Sequence, residues 1–457
     1  MSNHSSILIL VLTTAVVSGC ATISKEAGFH DVEKMVGQRQ EIHLHWNQST
    51  KEDTAVSETI HSMMREELTV DQAVQIALLN NPSLQATFEE LGIAQAELVQ
   101  AGLLENPVFA GHVRFPDASS LSTNTEFTVT ENFLHILFLP LRKKLASLQF
   151  EQAKFRVGDA VIRLNAEVKS AYYTLQAAQQ MAVMRQRVVQ AAQTAAEVAE
   201  RQYKAGNISE LDLANEQALY QKMYLDLVKS KAVVLADREH LSRLLGLKEE
   251  GIELKIKEAM QEFPQVDPLL EELETLALSK RLDLAAAQKE IEVLKRALTL
   301  SRSGIIPTLE VGIDTERDAD RTRVTGPSWE LPIPIFDRRQ GTVARTKAQL
   351  RQSEQRLEAL KRDVDSEVRL AHNRLVAARR TAESYRDTLI PLREKIVDQS
   401  LKHYNYMLIG VFQLLQAKQN EIEAQSDYIE AQRDYWIAQS ELERAVGGQL
   451  VEKRGEP

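Results

Sequence analysis

Residues 164–182 read LNAEVKSAYYTLQAAQQMA, and within them Leu164, Val168, Ala171, Leu175, Ala178 and Ala182 fall at spacings of 4, 3, 4, 3 and 4. An apolar seam that returns every 3.5 residues or so is what a helix offers a partner in a left-handed coiled coil. A shift of 200 residues finds the seam again: VDSEVRLAHNRLVAARRTA, at 364–382, sets Val364, Val368, Ala371, Leu375, Ala378 and Ala382 on the same positions. Working outward, the shift also lays Leu84 on Leu284, Leu98 on Leu298, Pro107 on Pro307 and Val113 on Ile313. With a slip of one residue it lays Tyr203, Leu213 and Gly246 on Tyr404, Leu414 and Gly447. Spacing held over so much of the chain predicts a duplicated architecture.

Each half carries the same order of elements. An amphipathic stretch at about 69–103 opens with Thr69 and Gln72, a capping-box pair, and is interrupted at Asn81-Pro82, because the residue before proline avoids the α region. Two alternating runs follow. Phe109, Gly111, Val113 and Phe115 oppose Ala110, His112 and Arg114, and Phe127 and Val129 oppose Glu126, Thr128 and Thr130. That period of two predicts half-exposed strands at about 107–115 and 123–133. In the second half Leu309, Val311 and Ile313, then Trp329, Leu331 and Ile333, predict strands at about 307–315 and 323–333, ended by Pro332 and Pro334.

The coiled-coil seam then predicts a helix from about Arg142 to Tyr203, roughly 90 Å long. A turn at Ala205-Gly206-Asn207 reverses it, and a second helix runs to a left-handed cap at Gly246. The second half turns near Met407–Gly410 and ends at Gly447-Gly448.

Composition agrees with long helices. Of 457 residues 26% are charged and 5% aromatic, with 18 Gly and 12 Pro, which leaves strands a minority. A formal charge of -10 argues against nucleic acid, whose binders concentrate Lys and Arg. No phosphate-cradling glycine loop, nucleophile elbow or Cys/His pair is present, so no enzyme and no cofactor is expected. His43, His45 and His61 with Met63 and Met64 match no metal-ligand spacing, and no metal site is expected.

The first twenty residues describe an address. Ile7 to Val17 is apolar but short of the roughly 20 residues that cross a bilayer, and it reads as a secretory segment. Val17-Ser18-Gly19-Cys20 resembles a bacterial lipobox, although Met1 to Ser6 contains no Lys or Arg. The resemblance makes Cys20, the only cysteine, a lipidated and palmitate-bearing N-terminus, and Ala21 points to the outer membrane. The organisation expected is therefore a signal peptide at 1–19, a lipid-anchored polar tether at 20–67, a first repeat at 68–247, a charged linker at 248–267, a second repeat at 268–448 and a tail at 449–457.

Four strands of about ten residues are long enough to cross a membrane. Open sheet edges in hydrocarbon are nevertheless costly, and four strands are too few to enclose a lumen. Several chains around one axis resolve this. The order of helix, two strands and long helical hairpin, repeated behind a lipobox, resembles the TolC family of outer-membrane efflux ducts. Local stretches carry the same likeness: Leu68-Thr69-Val70-Asp71-Gln72-Ala73 before Asn80-Asn81-Pro82-Ser83-Leu84, Tyr203-Lys204-Ala205-Gly206 with Leu211-Asp212-Leu213, and Ile333-Pro334-Ile335-Phe336-Asp337. Tyr404-Asn405-Tyr406-Met407 and Gly410-Val411-Phe412 resemble a branch linked to metal resistance.

The resemblance implies a homotrimer, a mainly α fold with a small β part, and an α-helical barrel continuing into a shared transmembrane β-barrel. It further implies outer-membrane lipid around the barrel, and a periplasmic adaptor and an inner-membrane pump as partners. The helix turns would form the periplasmic aperture and meet the adaptor, through Gly206, Glu210, Asp212, Met407, Gly410, Gln413 and Gln416. Family members often carry an aspartate pair where this chain has Gln413 and Gln416, so an acidic ring would have to come from Glu210 and Asp212. The plainer reading of those two acids is that they favour the helix they open. Arg142, Lys143, Lys144, Trp329, Phe336, Arg338 and Arg339 are expected at the membrane interface, or else as solvated helix starts. Two rivals remain at this point: a periplasmic adaptor lipoprotein, with one hairpin flanked by β domains, and a structural coiled-coil lipoprotein without a pore, which would not need its strands. The exported substrate is not legible.

Overall fold

The computed structural model describes residues 26, 28–40, 42–117, 121–247, 254–264 and 267–450. Cys20, the signal segment, the charged part of the linker at 248–253 and the end of the tail lie outside them. The described chain forms two compact units. One joins Phe88–Val157 and Asp283–Leu360 to the chain before Glu33, and the other joins Glu33–Thr87 and Gly158–Leu282 to the chain from Lys361 onward.

In the first repeat α3 (Val70–Asn80) and α4 (Pro82–Ala101) lead into β1 (Val108–Arg114) and β2 (Asn124–Asn132), then α5 (Phe133–Lys204) and α6 (Glu210–Leu244). In the second, α7 (Leu270–Lys280), α8 (Leu282–Ser303), β3 (Glu310–Arg317) and β4 (Arg323–Glu330) lead into α9 (Gln340–Ser384), a π-helical turn (Tyr385–Leu389), α10 (Ile390–Asn405) and α11 (Val411–Val446). Two further helices, α1 (Phe29–Gly37) and α2 (Lys51–Met63), precede them. No helix among the described residues is long and apolar enough to cross a membrane.

Most of the seam is buried where its spacing predicts, while Ala178, Ala182 and Ala378 are half-buried. Leu164, Val168, Ala171 and Leu175 lie inside, as do Val364, Val368, Ala371 and Leu375. The break at Asn81-Pro82 has a partner. The Asn80 side chain donates to the carbonyls of Leu245 (2.9 Å) and Gly246 (2.8 Å), and that of Asn81 donates to Leu244 (2.8 Å) while accepting from the Leu84 amide (2.9 Å). One asparagine pair thus ends α6 and starts α4. Gly246 sits at φ +69, and a Cβ there would stand 2.4 Å from the Asn80 carbonyl oxygen, so only glycine fits. The second repeat does the same with other chemistry: Arg281 donates to the Ala445 carbonyl (3.2 Å), and Gly447, at φ +80, lies against the Arg281 backbone.

Three features differ from the expectations. The long helix begins at Phe133, not near Arg142, and runs through Pro140. Asn132 caps it through the His135 amide (3.3 Å), and the Phe133 amide donates to the Leu309 carbonyl (2.8 Å), so the strand passes directly into helix. The third strand begins at Glu310 because its ladder with β2 starts at Asn132 opposite Glu310, and the fourth ends at Glu330, ahead of Pro332.

The stretch read as a polar tether is folded over 28–40 and 42–67. Between α1 and α2, residues 43–47 are held by two glutamines. Gln75 accepts from the His43 amide (3.1 Å) and donates to its carbonyl (2.8 Å); Gln85 donates to the His45 carbonyl (2.9 Å) and accepts from the Asn47 amide (2.8 Å). Leu44 and Trp46 are buried. Periodicity could not show this, because two glutamine side chains take the place of a partner strand. The linker is likewise pinned where described: the Leu68 amide donates to Lys255 (2.9 Å), and Arg379 grips Asp267 at 2.7 and 2.8 Å.

Candidate functional site

The four strands form one antiparallel sheet in the order β1-β2-β3-β4, so the two repeats meet at β2 and β3. Its register sorts the side chains by face. Phe109, Val113, Phe127, Val129, Val311, Ile313, Pro327 and Trp329 share one face with Gly111, Glu131 and several threonines. The opposite face carries His112, Arg114, Glu126, Thr128, Glu310, Asp314, Glu316 and Glu330.

The polar face is cross-linked. Arg114 pairs with Glu126 at 2.8 Å and lies 3.9 Å from Glu316, Asn124 donates to Glu316 (2.7 Å), and Thr128 donates to Asp314 (3.0 Å). The apolar face has no such network; Phe109 stacks on Phe127 at 5.8 Å and the rest is exposed, with Trp329 74% accessible. Both outer edges, of β1 and β4, are free of strand partners among the described residues. An exposed apolar sheet face beside a charged one is the pattern of a barrel wall between lipid and water.

A profile of the outer membrane efflux protein family matches residues 73–247 and 273–448. The chain belongs to that family. The matched segments are the two repeats, each with its own strand pair, and the chain is accordingly an efflux channel subunit of the outer membrane, with a periplasmic helical tunnel. The adaptor and non-pore readings are set aside by this match. Among curated proteins, the chain is similar to the cobalt-zinc-cadmium resistance protein CzcC of Cupriavidus metallidurans: 22% identical over 393 residues, spanning 83% of this chain and 90% of the relative. Two solved structures share the fold. A membrane protein of Pseudomonas aeruginosa superposes with a TM-score of 0.71 at 17% identity, covering 83% of this chain and 92% of its own. The CmeC outer membrane channel of Campylobacter jejuni superposes at 0.72 and 15%, covering 84% and 87%.

In this efflux-family chain the two helix turns are built alike and furnished differently. In the first, Gly206 takes φ +74, its amide donating to Tyr203 and that of Asn207 to Gln202, both at 2.9 Å. In the second, Met407 takes the same place at φ +56, its amide donating to Tyr404 and that of Leu408 to His403, again at 2.9 Å. A methionine in the left-handed region costs conformational energy that glycine does not. Met407 is also 93% exposed, beside exposed Tyr406 and Leu408.

The helices leaving the turns are capped by equivalent residues. Asp212 accepts from the Ser209 amide (3.1 Å) and hydroxyl (2.7 Å), and Gln413 accepts from the Gly410 amide (3.0 Å). Asp212 is therefore engaged in starting its helix, and Gln413 performs that task without charge. Gln416 is one turn on, donating to Asn420 at 3.0 Å, and Glu210 is exposed. Asp212 and Gln413 are thus both helix caps, a role in starting the helix that the sequence already suggests for Asp212 and does not suggest for Gln413.

At the other end of each strand pair, Arg142 donates to the His135 carbonyl (3.2 Å), while Lys143, Lys144 and Arg338 are exposed. Phe336 is 91% exposed, and the Arg339 amide donates to the Asp337 carboxylate (2.7 Å) as α9 begins. The histidines near the N-terminus do not form a ligand set: His45 pairs with Asp53 at 2.6 Å, and no group of three or more His, Cys, Asp or Glu suited to a metal occurs among the described residues.

Proposed function

We propose that three copies of this chain complete a twelve-stranded barrel and a helical duct, and that the duct passes divalent metal cations delivered by a periplasmic adaptor and an inner-membrane pump. One observation carries the reading: a four-stranded sheet with an apolar face, a charged face and two open edges. In hydrocarbon each unpaired edge amide costs several kcal/mol, and joining β4 of one copy to β1 of the next removes both edges. The helices support the same arrangement. Along α6, α10 and α5, Leu211, Leu225, Leu235, Leu392, Ile396 and Val198 are exposed in the single chain, apolar surface that neighbouring copies would cover.

The cargo reading rests on likeness and charge together. The similar protein CzcC is a cobalt-zinc-cadmium resistance protein, and the charged face here sets Glu126, Glu310, Asp314, Glu316 and Glu330 against Arg114. Turned inward, that face favours cations. The turns at Gly206 and Met407 would meet the adaptor, with Glu210, Asp212, Gly410, Gln413 and Gln416 around the mouth. Gln413 and Gln416 leave this mouth poorer in negative charge, which shifts selection toward the strands. Arg142, Lys143, Lys144, Trp329, Phe336, Arg338 and Arg339 would mark the periplasmic headgroup level, and lipidation of Cys20 would add a second anchor.

The test is the full-length protein in planar bilayers. The reading expects conducting trimers with a reversal potential favouring cations, and a deletion strain sensitised to cobalt, zinc or cadmium. Single-subunit material in detergent that never conducts would refute the assembly, and anion preference would refute the cargo.

A further inference from the structure

Among the four strands Arg114 is a satisfied cation, lying between Glu126 and Glu316. Two other arginines on the same sheet are not. Arg317 and Arg323 are direct cross-strand partners at the hairpin end of β3 and β4, and the register places both on the face that carries Ile313, Pro327 and Trp329. Both are exposed, and neither has an ion pair or side-chain hydrogen bond among the described residues. Like charges directly opposite one another destabilise an antiparallel pair unless something neutralises them.

Nothing on that face of the sheet does so. The next cross-strand pair inward is Thr315 with Thr325, hydroxyls 2.9 Å apart, and the neighbour of Arg317 on β2 is Thr125. The acids of the hairpin loop are engaged elsewhere: Asp318 accepts from Asn124, which lies on the charged face, and Asp320 accepts from the Thr322 amide. Arg321, in the loop itself at φ +74, donates to the Ser122 hydroxyl (3.0 Å) and adds a third positive charge.

We infer that Arg317 and Arg323 form a binding site for the phosphates of the lipid surrounding the outer rim of the barrel. The inference rests on the reading above, in which the apolar face meets lipid. On that face an arginine at mid-membrane is costly and one at the rim is not, and the strands place this pair at their helix-distal end, six residues from Trp329 along β4. The planar guanidinium fork suits phosphate oxygens, and two forks side by side on one ladder rung suit a lipid with more than one phosphate.

The test uses full-length protein in detergent, wild type and R317Q/R323Q, titrated with diphosphoryl lipid A, monophosphoryl lipid A or inorganic phosphate, with bound lipid read by native mass spectrometry. K347Q/R351Q, which removes two exposed cations from α9, is the charge control. Wild type and control should retain diphosphoryl lipid A and bind the monophosphoryl form less. R317Q/R323Q should bind diphosphoryl lipid A about 30-fold more weakly, the effect of losing two basic residues against an anionic lipid surface, while still assembling and conducting. Equal retention by R317Q/R323Q, equal competition by inorganic phosphate, or loss of assembly in place of loss of lipid would each overturn the site; the last would place the pair between copies. Failure of the wild type to assemble and conduct would instead overturn the barrel reading beneath it.

Discussion

The side-chain amide of Asn81 donates to the carbonyl of Leu244 at 2.8 Å, tying the start of α4 to the end of α6 across 163 positions of sequence. Because Asn81 is buried and its oxygen also accepts from the Leu84 amide, both halves of the side chain are committed. Asn81→Ala leaves a carbonyl and an amide unpaired and should cost about 1–3 kcal/mol, read as a lower urea midpoint. Asn81→Asp should be equally harmful, since a carboxylate cannot donate to Leu244.

Gly246 and Gly206 are both left-handed, but their surroundings differ. At Gly246 a Cβ meets the Asn80 backbone, whereas at Gly206 nothing lies within 4 Å. Gly206→Ala should therefore cost only the intrinsic penalty of about 1–2 kcal/mol, and Gly246→Ala distinctly more, in limited-proteolysis resistance of the two variants.

Met407 occupies in the second turn the conformation that glycine occupies in the first. Met407→Gly should relieve the turn, slowing local hydrogen exchange or raising thermal stability by about 1 kcal/mol. If the exposed methionine meets the adaptor, the same change should weaken adaptor binding. A variant that is more stable and binds as before would remove Met407 from the contact.

Asp53 predicts how pH acts on the N-terminal segment. Burial raises its pKa, but hydrogen bonds from the Thr50 amide, His45 and the Gln48 amide outweigh this and hold it below the usual carboxylate value. A carboxyl depressed on folding stabilises the fold above its unfolded pKa, and that contribution disappears as pH falls through the lower folded value. Hydrogen-exchange protection in 42–63, taken relative to the intrinsic amide rate at each pH, should therefore fall as the medium is acidified below the ordinary aspartate range. Asp53→Asn should show fast exchange at neutral pH and little further change.

The two faces of the sheet are separable by mutation. Ile313→Arg places a charge in the middle of the apolar face and should cost about 2–4 kcal/mol of membrane stability, seen as reduced outer-membrane insertion. Glu316→Gln, on the other face, should leave insertion intact and lower cation preference in the reversal potential. Equal insertion of Ile313→Arg and wild type would mean that this face does not meet lipid.

The sequence alone determined whatever is written at short range. Heptad spacing gave the seam at Leu164 and Val364, alternation gave the strands, Thr69 with Gln72 started α3, Gly206 sat in an expected turn and Gly246 at the expected left-handed cap. The duplication was legible because each half repeats those local patterns. Tertiary structure decided what depends on partners far apart in the chain: the pairing of β2 with β3, the segment at 43–47 held by Gln75 and Gln85, and the tie between Asn81 and Leu244. It also decided that Arg114 is paired and Arg317 and Arg323 are not. The physical reason is that a period of 3.5 or 2 follows from backbone geometry at any site, whereas a hydrogen bond or ion pair exists only when two particular side chains arrive together.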